Sequence, residues 1–319
     1  MRHKHANGMK LSRAGRQVLD DLLVLSGDAR PQRRRQRWHG EMFETLELRI
    51  LLSAATINWA TQKQTISGFG ASSAWMGGTF TGSQQQLLWS TTNGAGLSIL
   101  RSKIDETSNI TAPTSGETSI MQEAQAMGVT IFSTPWSMPA QYKGNNSIDN
   151  GGTLLPADYQ AYATWLAAYV MNMKNTYGIN LYAVSMQNEP DWVASYDSST
   201  WTAAEFDTVL FQYLEPTFAA DGITTKIMLP EETHWDSLDL VSTVLADSRL
   251  ANYSNIIFAD HTYGDYSNNN PITGLGGNPI WETEHTGTDP SQGIQAGLDE
   301  ASSIYHVVGQ NQASAYNHW

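Results

Sequence analysis

Two short stretches carry carboxylates in a form suited to bond cleavage. One is Met186-Gln187-Asn188-Glu189-Pro190-Asp191-Trp192 and the other is Trp281-Glu282-Thr283-Glu284. Two carboxyl groups on opposite sides of a glycosidic bond suffice to hydrolyse it. One donates a proton to the leaving oxygen while the other attacks the anomeric carbon or activates water. Unequal surroundings keep such a pair in opposite protonation states. Glu282 and Glu284 stand two residues apart, so on a strand both point to one face, and periodicity does not choose between them. Indoles accompany these acids. The chain has eleven Trp, and Trp75, Trp136, Trp192, Trp235 and Trp319 fall beside acidic residues or at the ends of β-rich runs. An indole presents a large apolar face with one polar edge, which suits stacking on a sugar ring. Carboxylates and amides serve its hydroxyls.

The elements that must position these groups begin near residue 56. Short β-rich runs alternate with helical ones, the pattern of parallel βα units. Strands are expected at Ile66–Gly70, Leu97–Lys103, Val129–Thr134, Leu181–Gln187, Lys226–Pro230, Ile256–His261, Pro279–Glu284 and Ala313–Trp319. The clearest helix runs from Ala157 to Tyr177. Its Tyr159, Tyr162, Leu166, Val170, Met173 and Tyr177 recur at steps of three and four, between Pro156 and Gly178 as start and stop signals. A second spans Thr202–Ala220, with Pro216 expected to bend its last turns. Others lie near Ser83–Thr92, Thr118–Met127, Ser237–Asp247 and Gln292–Gln310. Eight strands and at least six helices fit a (β/α)8 barrel. A doubly wound open sheet fits less well, because Gly68-Phe69-Gly70 lacks the third glycine of a phosphate-binding loop.

Barrels of this kind place their sites at the C-terminal strand ends. Read in order, those ends carry Trp75; Arg101 and Asp105; Trp136; Asn188 to Trp192; Glu231, Glu232, His234 and Trp235; His261 and Tyr263; Glu282, Glu284 and His285; and His318 and Trp319. The four histidines raise the question of a metal. No His-x-His pair follows the first strand and no strand-end lysine offers a bridge, so no ligand set is recognised and no metal or other cofactor is expected.

Composition narrows the partners. Residues 1–50 hold eleven of the eighteen Lys and Arg and six of the 31 Asp and Glu, a surplus of five positive charges. The rest holds seven against 25, a deficit of eighteen. So acidic a body repels phosphate, which argues against nucleic acid but not against a neutral glycan. There is no Cys, so neither disulfides nor thiol catalysis arise. No apolar run approaches the roughly 20 residues of a membrane helix, and those near the start are too short for an ordinary signal-peptide core.

Taken in order, several motifs resemble one family. The Asn188-Glu189-Pro190 stretch looks like the acid/base strand of clan A glycosidases. Trp281-Glu282-Thr283-Glu284 resembles the nucleophile strand of glycoside hydrolase family 30. Gly68-Phe69-Gly70, Gly96-Leu97-Ser98-Ile99-Leu100-Arg101, Thr134-Pro135-Trp136-Ser137-Met138-Pro139 and His261-Thr262-Tyr263-Gly264 are similar to that family too. The resemblance runs from about Ile57 to Trp319 and is nearest the bacterial xylanase and glucuronoxylanase group. It implies an α/β fold, a (β/α)8 TIM barrel. It makes Glu189 the acid/base and Glu284 the nucleophile of a retaining endo-β-1,4-xylanase. It assigns Asn188 to the sugar 2-hydroxyl, and Arg101 and Tyr263 to keeping the nucleophile ionised and oriented. Trp75, Trp136, His261 and Trp319 would shape the central sugar site, with Asp191 and Trp192 at its border. Glu282 becomes a barrel-interior acid, and Glu231 and Glu232 second-layer or solvated ones. The implied partner is a plant cell-wall polysaccharide, met by a monomer. The alternatives are another activity of the family, β-1,6-glucanase or glucosylceramidase-like, or a non-catalytic fragment that binds sugar.

The two ends depart from the pattern. Arg33, Arg34, Arg35 and Arg37 precede Phe43-Glu44-Thr45-Leu46-Glu47-Leu48-Arg49-Ile50-Leu51-Leu52-Ser53, which resembles the LEPR-x-LL sorting segment of planctomycete-type exported proteins, with Leu48 in place of its Pro. Residues 1–55 are therefore expected to be a basic leader and 56–319 the barrel, of a secreted or cell-surface protein. Family members continue past strand eight with a last helix and a β-rich side domain. The expectation here is a barrel lacking both, with the segment Thr56–Ile66 resembling the strand that joins that domain. The loop that serves a glucuronic acid branch would follow strand eight, so the branch requirement stays open.

Overall fold

The β-rich runs become strands because each is short, apolar and bounded by turn residues. The computed structural model describes residues 58–235, 238–263, 270–287 and 293–319. The leader 1–55, the sorting-type run, Gly264, Ser237 and Gln292 lie outside them. The strands are β1 (Gly68–Ser72), β2 (Ile99–Ile104), β3 (Thr130–Pro135), β4 (Ala183–Ser185), β5 (Lys226–Glu232), β6 (Ile256–His261), β7 (Ile280–Glu284) and β8 (Ala315–His318). They close in sequence order into one barrel, every pairing parallel. Ile99, Phe132, Ala183, Met228, Ile257, Ala259, Trp281 and Ala315 fill its interior, side chains of alternate residues pointing inward.

The helices are α1 (Gly82–Trp89), α2 (Thr118–Ala126), α3 (Tyr159–Tyr177), α4 (Ala203–Val209), α5 (Glu215–Ala220), α6 (Ser242–Ala246) and α7 (Ile294–Ile304). α3 buries Tyr162, Leu166, Val170 and Met173 against the barrel, as its spacing requires, and stops at Gly178 in the left-handed conformation (φ 69°). The segment expected as one helix from Thr202 to Ala220 is interrupted by a π turn at Leu210–Leu214, directly before Pro216. The ring has no N–H to give, and the wider turn accommodates that loss. Thr202 starts α4 with a reciprocal capping box to Glu205.

Three expectations need correction. β4 spans three residues, not seven. Beyond it the backbone bonds singly, Met186 to Met228, Asn188 to Pro135 and Glu189 to Glu231, because the chain turns inward at the site. The run expected at Ser237–Asp247 is a 3-10 turn (Asp239–Val241) and then α6. Residues 58–66 form no strand. Gln64 instead donates its amide to the Val308 carbonyl at 2.7 Å. Among the described residues no helix is long and apolar enough to cross a membrane.

Candidate active site

β2 delivers Arg101 to the middle of the barrel mouth, where it is fully buried. Its Nη1 donates to Glu284, at the end of β7, and its Nη2 donates to Asn188 Oδ1 at 2.6 Å and Glu231 Oε1 at 3.2 Å. The guanidinium lies over the Trp136 ring, 4.5 Å from its centroid. Tyr263 donates its hydroxyl to the other oxygen of Glu284 at 2.7 Å. Burial alone would raise the Glu284 carboxyl. His261, then Arg101 and the Tyr263 hydroxyl outweigh burial and hold it below its ordinary value. That is the condition of a nucleophile.

Glu189 approaches from the loop after β4. His261 Nδ1 lies 3.1 Å from Glu189 Oε1 and 4.0 Å from Glu284 Oε2. One ligand-type atom each of Glu189, His261 and Glu284 lies within 4.8 Å of the other two. Burial works against an imidazolium here, but Glu284, then Glu189 and Glu231, push His261 up to about 10. Glu231 is held down at about 2: burial would raise it, and Arg101 and then His261 overcome that. Two buried cations are thus interleaved with carboxylates.

These three acidic and basic residues are also the group, among the described residues, compact enough to hold a metal ion. The donor set argues otherwise. Glu284 already receives Arg101 on one oxygen and Tyr263 on the other, and His261 Nδ1 faces Glu189 at 3.1 Å.

Backbone strain concentrates at this mouth. Glu189 (φ 44°), Glu231 (φ 59°) and Trp75 (φ 62°) all adopt left-handed conformations without being glycine. The Glu189 amide donates to the Glu231 carbonyl at 2.9 Å, which helps to hold two of the three.

Glu282 and Glu284 separate cleanly. Glu282 is fully buried and accepts the Asn317 amide at 2.9 Å; the register shift that pairs Asp260 with Glu282 but His261 with Glu284 takes the two acids off the common face expected of them. Burial raises its carboxyl well above the ordinary range, so it is a neutral interior acid. Trp75, Trp136 and Trp319 come together, with ring centroids 4.8, 5.8 and 5.7 Å apart. Trp75, Trp319 and Tyr263 stay partly exposed, and Trp192 stands on the rim, 55% exposed.

Other strand-end residues fall elsewhere. His285 and His318 turn outward to Glu300 of α7, because each neighbours an inward-facing residue on its strand. Trp235 is buried in the outer core. Asp191 is tied to the Thr233 amide at 3.0 Å. Glu231 and Glu232 are both buried, not solvated; Glu232 accepts the Leu240 amide at 2.7 Å. A strand-end lysine does exist: Lys103 on β2, paired with Glu106 and with Asp197 at 2.9 Å. Two further residues escaped the sequence. Tyr196 stands edge-on to Trp75 at 6.5 Å; burial and then the field of Glu189 and Glu284 raise its phenol. Glu117 lies under the β1 loop. Tyr196 comes from a loop with no periodic signal, and Glu117 from the N-cap of α2, where periodicity does not say which way the side chain turns.

This barrel, with its carboxylates on strands four and seven, matches a family model described as the glycosyl hydrolase family 30 TIM-barrel domain, over residues 115–293. The chain belongs to glycosyl hydrolase family 30. Its relatives include xylanases and a β-1,6-glucanase. It is 28% identical over 284 residues to the glucuronoxylanase XynC of Bacillus subtilis strain 168, covering 85% of this chain and 64% of that one. The structure of the subfamily 8 xylanase Xyn30A from Clostridium acetobutylicum superposes with a TM-score of 0.71 at 34% identity, covering 82% of this chain and 66% of that one. Over a shorter stretch of 109 residues the chain is 32% identical to an endo-1,6-β-D-glucanase of Trichoderma harzianum, covering 30% of this chain and 22% of that one. The chain thus spans slightly under two thirds of the length of the first relatives it matches.

Proposed function

We propose that this protein is a retaining endo-β-1,4-xylanase. The spacing of its carboxylates carries the reading. Oxygens of Glu189 and Glu284 lie within 4.8 Å, near the roughly 5 Å of retaining enzymes and short of the 6.5–9.5 Å, approximately, that an inverting water needs. The ionised Glu284 attacks the anomeric carbon as Glu189 gives its proton to the leaving oxygen, leaving a glycosyl ester on Glu284. Glu189 then takes a proton from water, whose oxygen attacks the same carbon and releases Glu284. The Asn188 carbonyl is spent on Arg101, which leaves its amide N–H groups for a sugar hydroxyl. The partly exposed Trp75, Trp192 and Trp319 supply stacking faces along an open mouth, which favours attack within a chain. The Bacillus and Clostridium relatives support xylan as the glycan.

A branch is a separate matter. Arg101, Lys103 and His261, the cations among the described residues of this mouth, are all paired with carboxylates. The described cleft therefore favours neutral sugars over a glucuronate. A polymer substrate also fits an exported monomer, as the N-terminal basic run suggests; recovery from culture medium tests that. The decisive experiment incubates the protein with unbranched β-1,4-xylan, glucuronoxylan and β-1,6-glucan and follows the first product by NMR. Fresh β-anomer from xylan is expected. Inverted product would remove the retaining mechanism, and cleavage of β-1,6-glucan alone would move the reading to the other activity of the family.

A further inference from the structure

Glu117 breaks a local rule. It stands at the N-cap of α2, where Ser, Thr, Asp or Asn ordinarily bonds the first free amides of the helix. It makes no such bond. The side chain is buried and turns away, between β1 and β2. There Oε1 accepts the Trp75 amide at 3.0 Å, and Oε2 accepts the Ser73 hydroxyl at 2.8 Å and the Lys103 amide at 3.2 Å. The β1–β2 pairing ends at Ser72 opposite Arg101. Beyond that point the two strands part and their amides need new acceptors. Glu117 supplies them, as a wedge in the opening.

The wedge holds a residue that would not stay there by itself. Trp75 is left-handed at φ 62°, a conformation that a non-glycine residue keeps only where its surroundings impose it. It also has somewhere to go. A cavity of about 250 Å³, lined by Trp75, Gly77, Lys103, Asp105, Gly116 and Glu117, adjoins the ring. Away from that cavity Trp75 meets Trp136 and Trp319 at 4.8 and 5.8 Å.

We propose that Glu117 is a positioning residue for sugar binding: its carboxylate fixes the backbone of Trp75 so that the indole stays in the cleft-side aromatic cluster. The proposal rests on the sugar-cleaving reading above. Glu117→Gln keeps the shape but carries one acceptor oxygen, so either the Trp75 or the Lys103 amide meets an N–H instead. Because Trp75 contributes to binding in ground and transition states alike, the loss falls on KM.

The test is a double-mutant cycle on unbranched β-1,4-xylan with wild type, E117Q, W75A and the double variant. E117Q is expected to raise KM about tenfold with kcat nearly unchanged, and to have no further effect once Trp75 is gone. Full additivity, or a loss confined to kcat, overturns the proposal. Hydrogen exchange at the Trp75 and Met76 amides provides a readout that needs no substrate. It should quicken in E117Q while β6 stays protected; unchanged exchange overturns the wedge. A wild type that cleaves no β-glycan sinks the xylanase reading and leaves the exchange result to decide the wedge. If E117Q does not fold, Ser73→Ala removes one donor and keeps the charge, with a smaller rise in KM expected and an unchanged KM overturning the idea.

Discussion

Two histidine–carboxylate clusters lie on neighbouring strands, and only one belongs to the candidate active site. His261 on β6 is enclosed by Glu189, Glu231 and Glu284, with Arg101 beside it. His285, just after β7, and His318, at the end of β8, share the single Glu300 at 3.6 and 3.2 Å. The residue types are alike. Their outcome differs through strand face and the number of carboxylates. His285 directly follows Glu284, so it must face outward where Glu284 faces in. At His285 burial outweighs Glu300 and pushes the imidazole below its ordinary value, whereas the more exposed His318 is raised by the same carboxylate. Three carboxylates do overcome burial at His261, which is pushed up to about 10. A strand-end position thus says little until the face is known.

The largest separation between the clusters should come from Glu284, the proposed nucleophile. Glu284→Gln is expected to lower kcat by about 10⁴-fold or more while the protein still binds xylan oligosaccharides, measured by calorimetry. A variant retaining a tenth of wild-type turnover would take Glu284 out of the chemistry.

Arg101→Gln comes next. It leaves Glu231 buried without its guanidinium partner and Glu284 with Tyr263 and His261 only. Removing one member of a buried pair costs about 3–5 kcal/mol, readable in urea unfolding. The acid limb of kcat/KM, which reports ionisation of Glu284, should move to higher pH, because one of the two cations holding that carboxyl down is gone. An unmoved limb in a folded variant would show that His261 and Tyr263 suffice.

Much of this was legible in the sequence. The eight β-rich runs and the 3.6-residue stripe of α3 fixed the barrel, since each is a local pattern that the tertiary structure reinforces. Glu189, Arg101, His261, Tyr263 and Glu284 converge because strand order brings their ends to one mouth. The π turn before Pro216 was foreshadowed only as a bend. What stayed hidden has physical causes. Pleat parity near strand ends is lost at irregularities, and register shifts occur at Pro230/Glu232 and at Asp260/His261. They explain why adjacent Glu231 and Glu232 are both buried. Tyr196 acts from a loop and Glu117 from a helix N-cap whose side chain turns away from its own helix, so in both the partners are chosen by three-dimensional proximity.

The pH dependence of stability should run in opposite directions for His261 and His285. His261 has a folded value raised to about 10 over an unfolded value of about 6.5. Its contribution is fully present below about 6.5 and is lost as pH rises through 10. His285 has a lowered folded value, so its contribution is present above about 6.5 and is lost on acidification. Melting temperatures of wild type, His261→Asn and His285→Asn between pH 5 and 10 check this. The wild-type advantage over the His261 variant should shrink toward pH 10, and that over the His285 variant should shrink toward pH 5. The same sign for both would mean that carboxylate number does not set the difference.

The smallest effect is expected at Glu300→Gln. The Glu300 side chain is 26% exposed and its histidine partners are 3.2 and 3.6 Å away, so solvent screens the pairs and removing the charge should change stability by under about 1 kcal/mol. Turnover should stay at the wild-type level, since the cluster faces away from the barrel mouth. There is one route by which it would not. The His285 carbonyl accepts the Trp319 amide at 2.7 Å, and Trp319 belongs to the aromatic cluster of the cleft. That bond is made by backbone, which the strand pairing of His285 with His318 holds independently of either imidazole. A tenfold fall in kcat/KM for Glu300→Gln would therefore show that the imidazoles, and not the backbone, fix Trp319, and would join the two clusters into one working unit.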